Sequence, residues 1–289
     1  MVRSLMSGVS GMQEFQERMD VIGNNIANVN TTAYKSSRME FADAFSQTYR
    51  GATAGTATTS NVDPLQIGTG VTSTAIMSNF TQGAVTRTGP QTDLALTGDG
   101  FFQVKDSITG TIYATRAGDF RLDQAGRLVT NSGYRVQGFT DSGLTTEGDV
   151  VIDGAGRPAS ADPLATVSSW AIGTNGKVTV RLSDNTEYVR GQILLQKFSD
   201  PNALTKQGNN LYGSLGAAGP LTTGTAPSGA SAPGSNGTGV VESGALELSN
   251  VDLANEFAQM IVTQRSFQAN ARIITTSDEI LQELVNLKR

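Results

Sequence analysis

Apolar positions recur every seven residues at both ends of the chain and lose that period between them. Near the start, Leu5, Met12, Met19 and Ile26 form one series. Phe15, Ile22 and Val29 form a second, three residues after Met12, Met19 and Ile26. This 3-4 alternation lines one seam of an α-helix. Arg3, Gln13, Glu14, Glu17, Arg18 and Asp20 fall off the seam. The pattern predicts an amphipathic helix from Met1 to about Val29. Asn24, Asn25, Asn28 and Asn30 mark its end, because asparagine bonds nearby backbone and favours caps and turns.

The last stretch, from about Asn250 to Arg289, repeats the signature. Leu253, Met260, Phe267, Ile274 and Leu281 recur every seven residues, and Phe257, Ala271, Leu284 and Val285 widen the stripe. Gln264 and Asp278 interrupt the second series. Ser249 or Asn250 is the expected N-cap. Asp252 and Glu256 would sit near the positive end of the helix dipole, and Lys288 and Arg289 near the negative end. A single helix of this length is marginal in water, so the two ends are expected to pair side by side or antiparallel.

Between the helices the pattern turns to short β-prone runs. Phe101–Val104, Thr111–Ala114 and Lys177–Arg181 alternate with Gly, Asn and Asp turns, and Asn175-Gly176 and Asp184-Asn185 read as hairpin turns. The expected organisation is α+β. A discontinuous, coiled-coil-like helical layer comes from residues 1–30 and 246–289. A linker with an extended loop covers 31–75, and an antiparallel β-rich domain covers 76–245. Two low-complexity stretches stand out: Gly51–Asn61, and a Gly/Ser/Ala/Pro-rich segment at 213–239 read as a mobile loop.

Composition narrows the functions open to this architecture. The 289 residues contain no Cys and no His, which excludes disulfides, thiolate or imidazole metal ligands and a Ser-His-Asp triad. The formal charge is −5 with no basic cluster, so no nucleic-acid partner is expected. No stretch approaches the ~20 apolar residues of a membrane span, so no membrane insertion is expected. The opening stretch lacks the apolar centre of a secretory signal. Gly98-Asp99-Gly100 lacks phosphate-loop spacing. Asp93, Asp99, Asp119 and Asp123 do not match a calcium loop. No catalytic, metal or cofactor site is expected, and Trp170 is read as a core aromatic.

Several words of the sequence, in order, resemble the bacterial flagellar rod and hook proteins. They are Ser7-Gly8-Val9-Ser10-Gly11-Met12, Met19 to Thr31, Gly98 to Val104, Thr115 to Phe120 and Gly126-Arg127-Leu128-Val129. Ser249 to Leu253, Gln264 to Asn270 and Thr275 to Glu279 complete the set. One departure is Ala33-Tyr34-Lys35, where the family usually has Gly-Phe-Lys, a change that restricts the turn at Ala33. The ending Leu281 to Arg289 looks most like hook proteins. The segment Gly51 to Gly70 resembles an insertion of distal-rod proteins and some compact hook proteins.

The resemblance implies a subunit without enzymatic activity that polymerises through its helices, with the helices inside a tube and the β domain outside. The main expectation is a short flagellar hook protein, the alternative a distal rod protein. Expected partners are further copies of the chain and other axial proteins, among them distal rod, hook cap and hook–filament junction proteins. The place implied is the extracellular flagellar hook or basal body, reached by export without a cleaved signal. Two readings from other classes are a surface adhesin built on the β domain and a carboxylate-based glycosidase. The helical stripes would bury an ordinary intramolecular pair, an interface between copies, or both.

Overall fold

The computed structural model describes residues 2–52, 54–55, 60–154, 156–158, 162, 164–221 and 229–287. The α+β architecture expected from the pattern is the one observed: a helix at each end of the chain and a β-rich middle. The chain divides into two compact units, each built from more than one stretch of sequence. The first comprises Met1–Asn28, Ser36–Asn79 and Val251–Arg289, the second Val29–Lys35 and Phe80–Asn250.

The helical unit contains α1 (Val2–Ala27) and α2 (Leu253–Leu287). Helix α1 ends where its asparagines begin to cap: the Asn28 side-chain amide donates to the Asn24 carbonyl at 2.9 Å. The start of α2 differs from expectation. Asp252 is the cap, its carboxylate accepting from the backbone N–H of Ala254 and Asn255 at 3.0 and 3.4 Å. Asn250 belongs to the other unit, where its amide donates to Thr81. Lys288 and Arg289 lie outside the described residues.

The stretch 31–75, read as a linker, is largely folded. Strands β1 (Ser37–Asp43), β2 (Ser46–Arg50), β3 (Leu65–Gly68) and β4 (Val71–Ser78) form an antiparallel ribbon in which β1 pairs β4 and β2 pairs β3. A register shift at Glu40/Phe41 bends it. Polar and apolar residues are mixed along these strands without clean alternation, which hid them from a search for period two. Of the Gly/Ala/Thr-rich tip, residues 53 and 56–59 lie outside the described residues.

The β unit is organised around an antiparallel sheet of twelve strands among the described residues. Its main path runs Val167–Ile172, Lys177–Leu182, Glu187–Ile193, Arg135–Phe139, Phe101–Lys105, Ile112–Thr115, Leu211–Gly213 and Thr205–Gly208. Both expected hairpin turns are present, with Gly176 at φ +73° and Asn185 at φ +64°. Val178, Val180 and Leu182 alternate inward and join Leu94, Phe102, Val104, Leu128, Val136 and Ile193 in the core. Trp170 is half-buried at the edge of this core.

A second aromatic cluster joins Phe80, Phe101, Phe198 and Tyr212 with ring centroids 5.4–5.8 Å apart. The segment 213–239, read as mobile, is in its described parts packed down. Ala218, Ala230 and Ser231 are buried, and Ser231 exchanges backbone hydrogen bonds with Leu195. Residues 222–228 of that segment lie outside the described residues.

Candidate functional site: the helical surface

The two helices run antiparallel. Gly8 packs beside Ile274, Gly11 beside Asn270, and Asn25 bonds to Glu256. The approach is closest at Gly11, where an added methyl group would come within 2.4 Å of the Asn270 side chain. The residues of α2 turned most fully toward its neighbours are polar: Glu256, Thr263 and Ser277 are its buried side chains. With Asn270 they form a series seven residues apart that the sequence reading missed. Its signal was the heptad spacing itself, overlooked because a search for apolar positions passes over Glu, Thr, Asn and Ser.

This contact uses little of the expected apolar stripe. On α1, Ile22 is buried, and Leu5, Met12, Phe15, Met19 and Ile26 are half-buried. Phe15 packs edge-on against Phe41 of β1 with centroids 5.8 Å apart. Val29 is half-buried in the β unit. On α2, Met260, Phe267, Ile274 and Leu281 are half-buried, while Leu253, Phe257 and Leu284 are exposed. Ile261, Val262, Ile273, Ile280 and Val285 are exposed as well. A helix with this much open apolar surface has the makings of a docking face.

The four turn asparagines divide. Asn24 and Asn28 bond each other locally, and Asn30 is exposed. Asn25 is buried and acts at long range. Its Oδ1 accepts from the Ser37 N–H at 2.9 Å, and its Nδ2 donates to the Ser37 carbonyl at 2.8 Å and to Glu256 Oε1 at 3.1 Å. One side chain thus ties α1, β1 and α2 together. Burial raises the Glu256 carboxyl above its ordinary value, and the Asn25 bond and the charge of Arg18 oppose that shift. A cavity of ≈ 250 Å³ lies beside this cluster, lined among others by Arg18, Ser37, Met39, Glu256 and Gln259.

The β unit holds its own buried polar cluster. Lys35 Nζ lies 2.6 Å from Glu247 Oε1 and 2.8 Å from the Thr81 carbonyl. Glu247 also accepts from the Gly83 N–H at 2.9 Å, and its Oε2 is 3.5 Å from Arg116. Burial pushes both Lys35 and Arg116 below their ordinary values, and Glu247 pulls both back. Just before Lys35, Ala33 stands at φ +54°, a left-handed conformation for which glycine is better suited, and its N–H donates to the Glu247 carbonyl at 2.8 Å. Among the described residues, no group of three or more acids could hold a metal, and no helix is long and apolar enough to cross a membrane.

A discontinuous helix pair with an open apolar face, carrying an inserted antiparallel β domain, defines the class: a structural subunit and not a catalytic one. Three family models match the chain. They are the flagella basal body rod protein model over residues 5–35, the flagellar hook protein FlgE/F/G D1 domain over 95–180, and the flagellar basal body rod FlgEFG protein C-terminal model over 242–287. The flagellar basal-body rod protein FlgG of Bacillus subtilis is 46% identical over 289 residues, covering 100% of both chains. That of Borreliella burgdorferi is 36% identical over 294 residues, again covering 100% of each. The flagellar hook protein FlgE of Borreliella burgdorferi is 28% identical over an alignment of 451 residues. The chain belongs to the flagellar rod and hook protein family, a family of structural proteins and not of enzymes.

Proposed function

We propose that this chain is a subunit of the flagellar basal-body rod, its distal part, and polymerises there through α1 and α2. This is the alternative, not the main, reading of the sequence, whose closing residues look most like hook proteins. One observation carries the change. The chain aligns end to end with FlgG relatives of its own length, whereas the hook relative requires an alignment of 451 positions, more than a third of which hold no residue of this chain.

The functional partners under this reading are further copies of the chain and the axial proteins above and below it. The place is the shaft beneath the hook, reached by export without a cleaved signal. The test is to express an epitope-tagged chain in cells lacking the native copy and label purified hook–basal bodies with antibody. Label confined to the shaft below the hook is the expected result. Label along the length of the hook restores the hook reading.

A further inference from the structure

The Glu256 carboxylate presents an oxygen that nothing among the described residues satisfies. Glu256 is 8% exposed. Its Oε1 is taken by Asn25, while Oε2 is buried without a hydrogen-bond partner. Buried carboxylate oxygens are costly when unpaired, so one beside a cavity marks a place where a donor is due. The cavity next to it, ≈ 250 Å³, is large enough for a long side chain. Neither arginine in its lining hydrogen-bonds this oxygen, although the charge of Arg18 is felt there. The Arg18 guanidinium lies over the Phe41 ring, 5.7 Å from its centroid, and Arg38 is engaged by Glu40 at 2.8 Å.

The same helix carries two suitable donors that find no acid of their own. Arg265 and Arg272 are exposed, and neither forms an ion pair among the described residues. Arg265 lies nine positions after Glu256, which at about 100° per residue puts it on the opposite side of α2. Arg272, seven positions further, shares that face. Neither can fold back onto its own Glu256.

We infer that the Glu256 cavity is a socket for a guanidinium of α2, Arg265 or Arg272, supplied by a second copy of this chain. A planar guanidinium matches the open carboxylate oxygen and carries further N–H donors for the polar groups around it. Socket and plug lie on different faces of one chain, so the contact is heterologous. It continues from copy to copy instead of closing a dimer. The inference rests on the rod reading only in needing a polymer, and it names a contact that reading leaves open.

The chain has no Cys, which makes cross-linking clean. Gln259→Cys places a thiol in the socket lining; Gln268→Cys and Thr275→Cys place one beside Arg265 and Arg272. Two cysteines nine or more residues apart on one helix are too distant to join within a chain. Full-length variants are expressed in cells lacking the native copy and oxidised after assembly. A ladder of covalent oligomers is expected from Gln259→Cys with Gln268→Cys or with Thr275→Cys, and none from the single variants. The ladder should fall at least tenfold on adding Glu256→Gln, or Arg→Gln at the arginine beside the responding cysteine. Because those arginines are exposed, their replacement tests the plug without disturbing the fold. Assembled rods with no ladder from either pair, or a ladder indifferent to both replacements, overturn the socket while leaving the rod reading intact. Failure of the unmodified chain to form rods removes both.

Discussion

Lys35 and Glu247, separated by most of the chain, meet at 2.6 Å with side chains 0% and 1% exposed. Arg116 joins them, 4% exposed, and its Nε is buried without a hydrogen-bond partner among the described residues. Two cations thus share one carboxylate in the interior of the β unit. Such a cluster is weak evidence for net stability, because desolvation offsets much of the attraction. Removing its single anion is another matter.

Glu247→Gln leaves two buried cations with only the exposed Asp99 carboxylate acting on Arg116 and should cost about 3–5 kcal/mol. Lys35→Met removes one of the two cations and keeps Glu247 bonded to Gly83 and near Arg116, so it should cost less, about 1–2 kcal/mol. Urea unfolding followed by the fluorescence of Trp170, the single tryptophan, measures both. Equal losses would show that the cluster acts by packing and not by charge balance.

The helical unit should weaken as pH rises. Burial raises the Glu256 carboxyl in the folded chain, so from about pH 4 upward the folded state keeps a proton that the unfolded state has released. Stability is greatest below the unfolded value and falls as pH climbs through the folded one. Glu256→Gln should flatten that part of the profile. The check is the far-ultraviolet helix signal of the monomer in urea across the acid range, and an unchanged slope in the variant would assign the dependence to another group.

Ala33 offers a test of backbone strain. Its left-handed conformation costs about 1–2 kcal/mol for a residue with a Cβ. Ala33→Gly relieves that cost but loses a buried methyl group, about 0.8 kcal/mol, and frees the unfolded chain by about 0.5–1 kcal/mol. The terms nearly cancel, and the expected change is within about 1 kcal/mol of zero. Ala33→Val adds a β-branch in the same conformation and should cost more than about 2 kcal/mol. A melting curve for each variant separates them.

Phe257 is 50% exposed on α2, so Phe257→Asp should leave the monomer folded and block assembly. Desolvating an unpaired carboxylate at a docking face costs several kcal/mol. Gln91→Asp, at an exposed polar position of the β unit, is the control. Rod length by electron microscopy and monomer circular dichroism give the two readouts. Phe267→Asp, on the half-buried series, should also block assembly but with some loss of monomer stability. Normal rods from Phe257→Asp would detach the open face of α2 from polymerisation.

Strong periodicity made both helices legible, and Lys177 to Leu182 was legible because its burial alternates residue by residue. The ribbon β1 to β4 was not, since its faces mix exposed Phe45, Leu65 and Ile67 with polar neighbours. The N-cap was misplaced because Ser249, Asn250 and Asp252 are all good caps and only tertiary bonds choose among them. Of the helical surface, the apolar stripe could be read but not its allocation. Phe15 is spent on Phe41 and Phe257 is left open, and the intrachain contact falls to Glu256, Thr263, Asn270 and Ser277. Asn25 looked like a local turn residue, and nothing near it in sequence announces Ser37 or Glu256.

The Lys35–Glu247–Arg116 cluster also sets an order of events. A polypeptide delivered N-terminus first presents Lys35 early and Arg116 midway, but their shared counter-charge is residue 247. Until that strand arrives, closing the interior would bury two positive charges together, at a cost of about 3–5 kcal/mol. The β unit is therefore timed from its trailing edge. Any shorter stretch of the chain that ends before residue 247 lacks that counter-charge, so commitment to the compact state waits for nearly the whole length to be present.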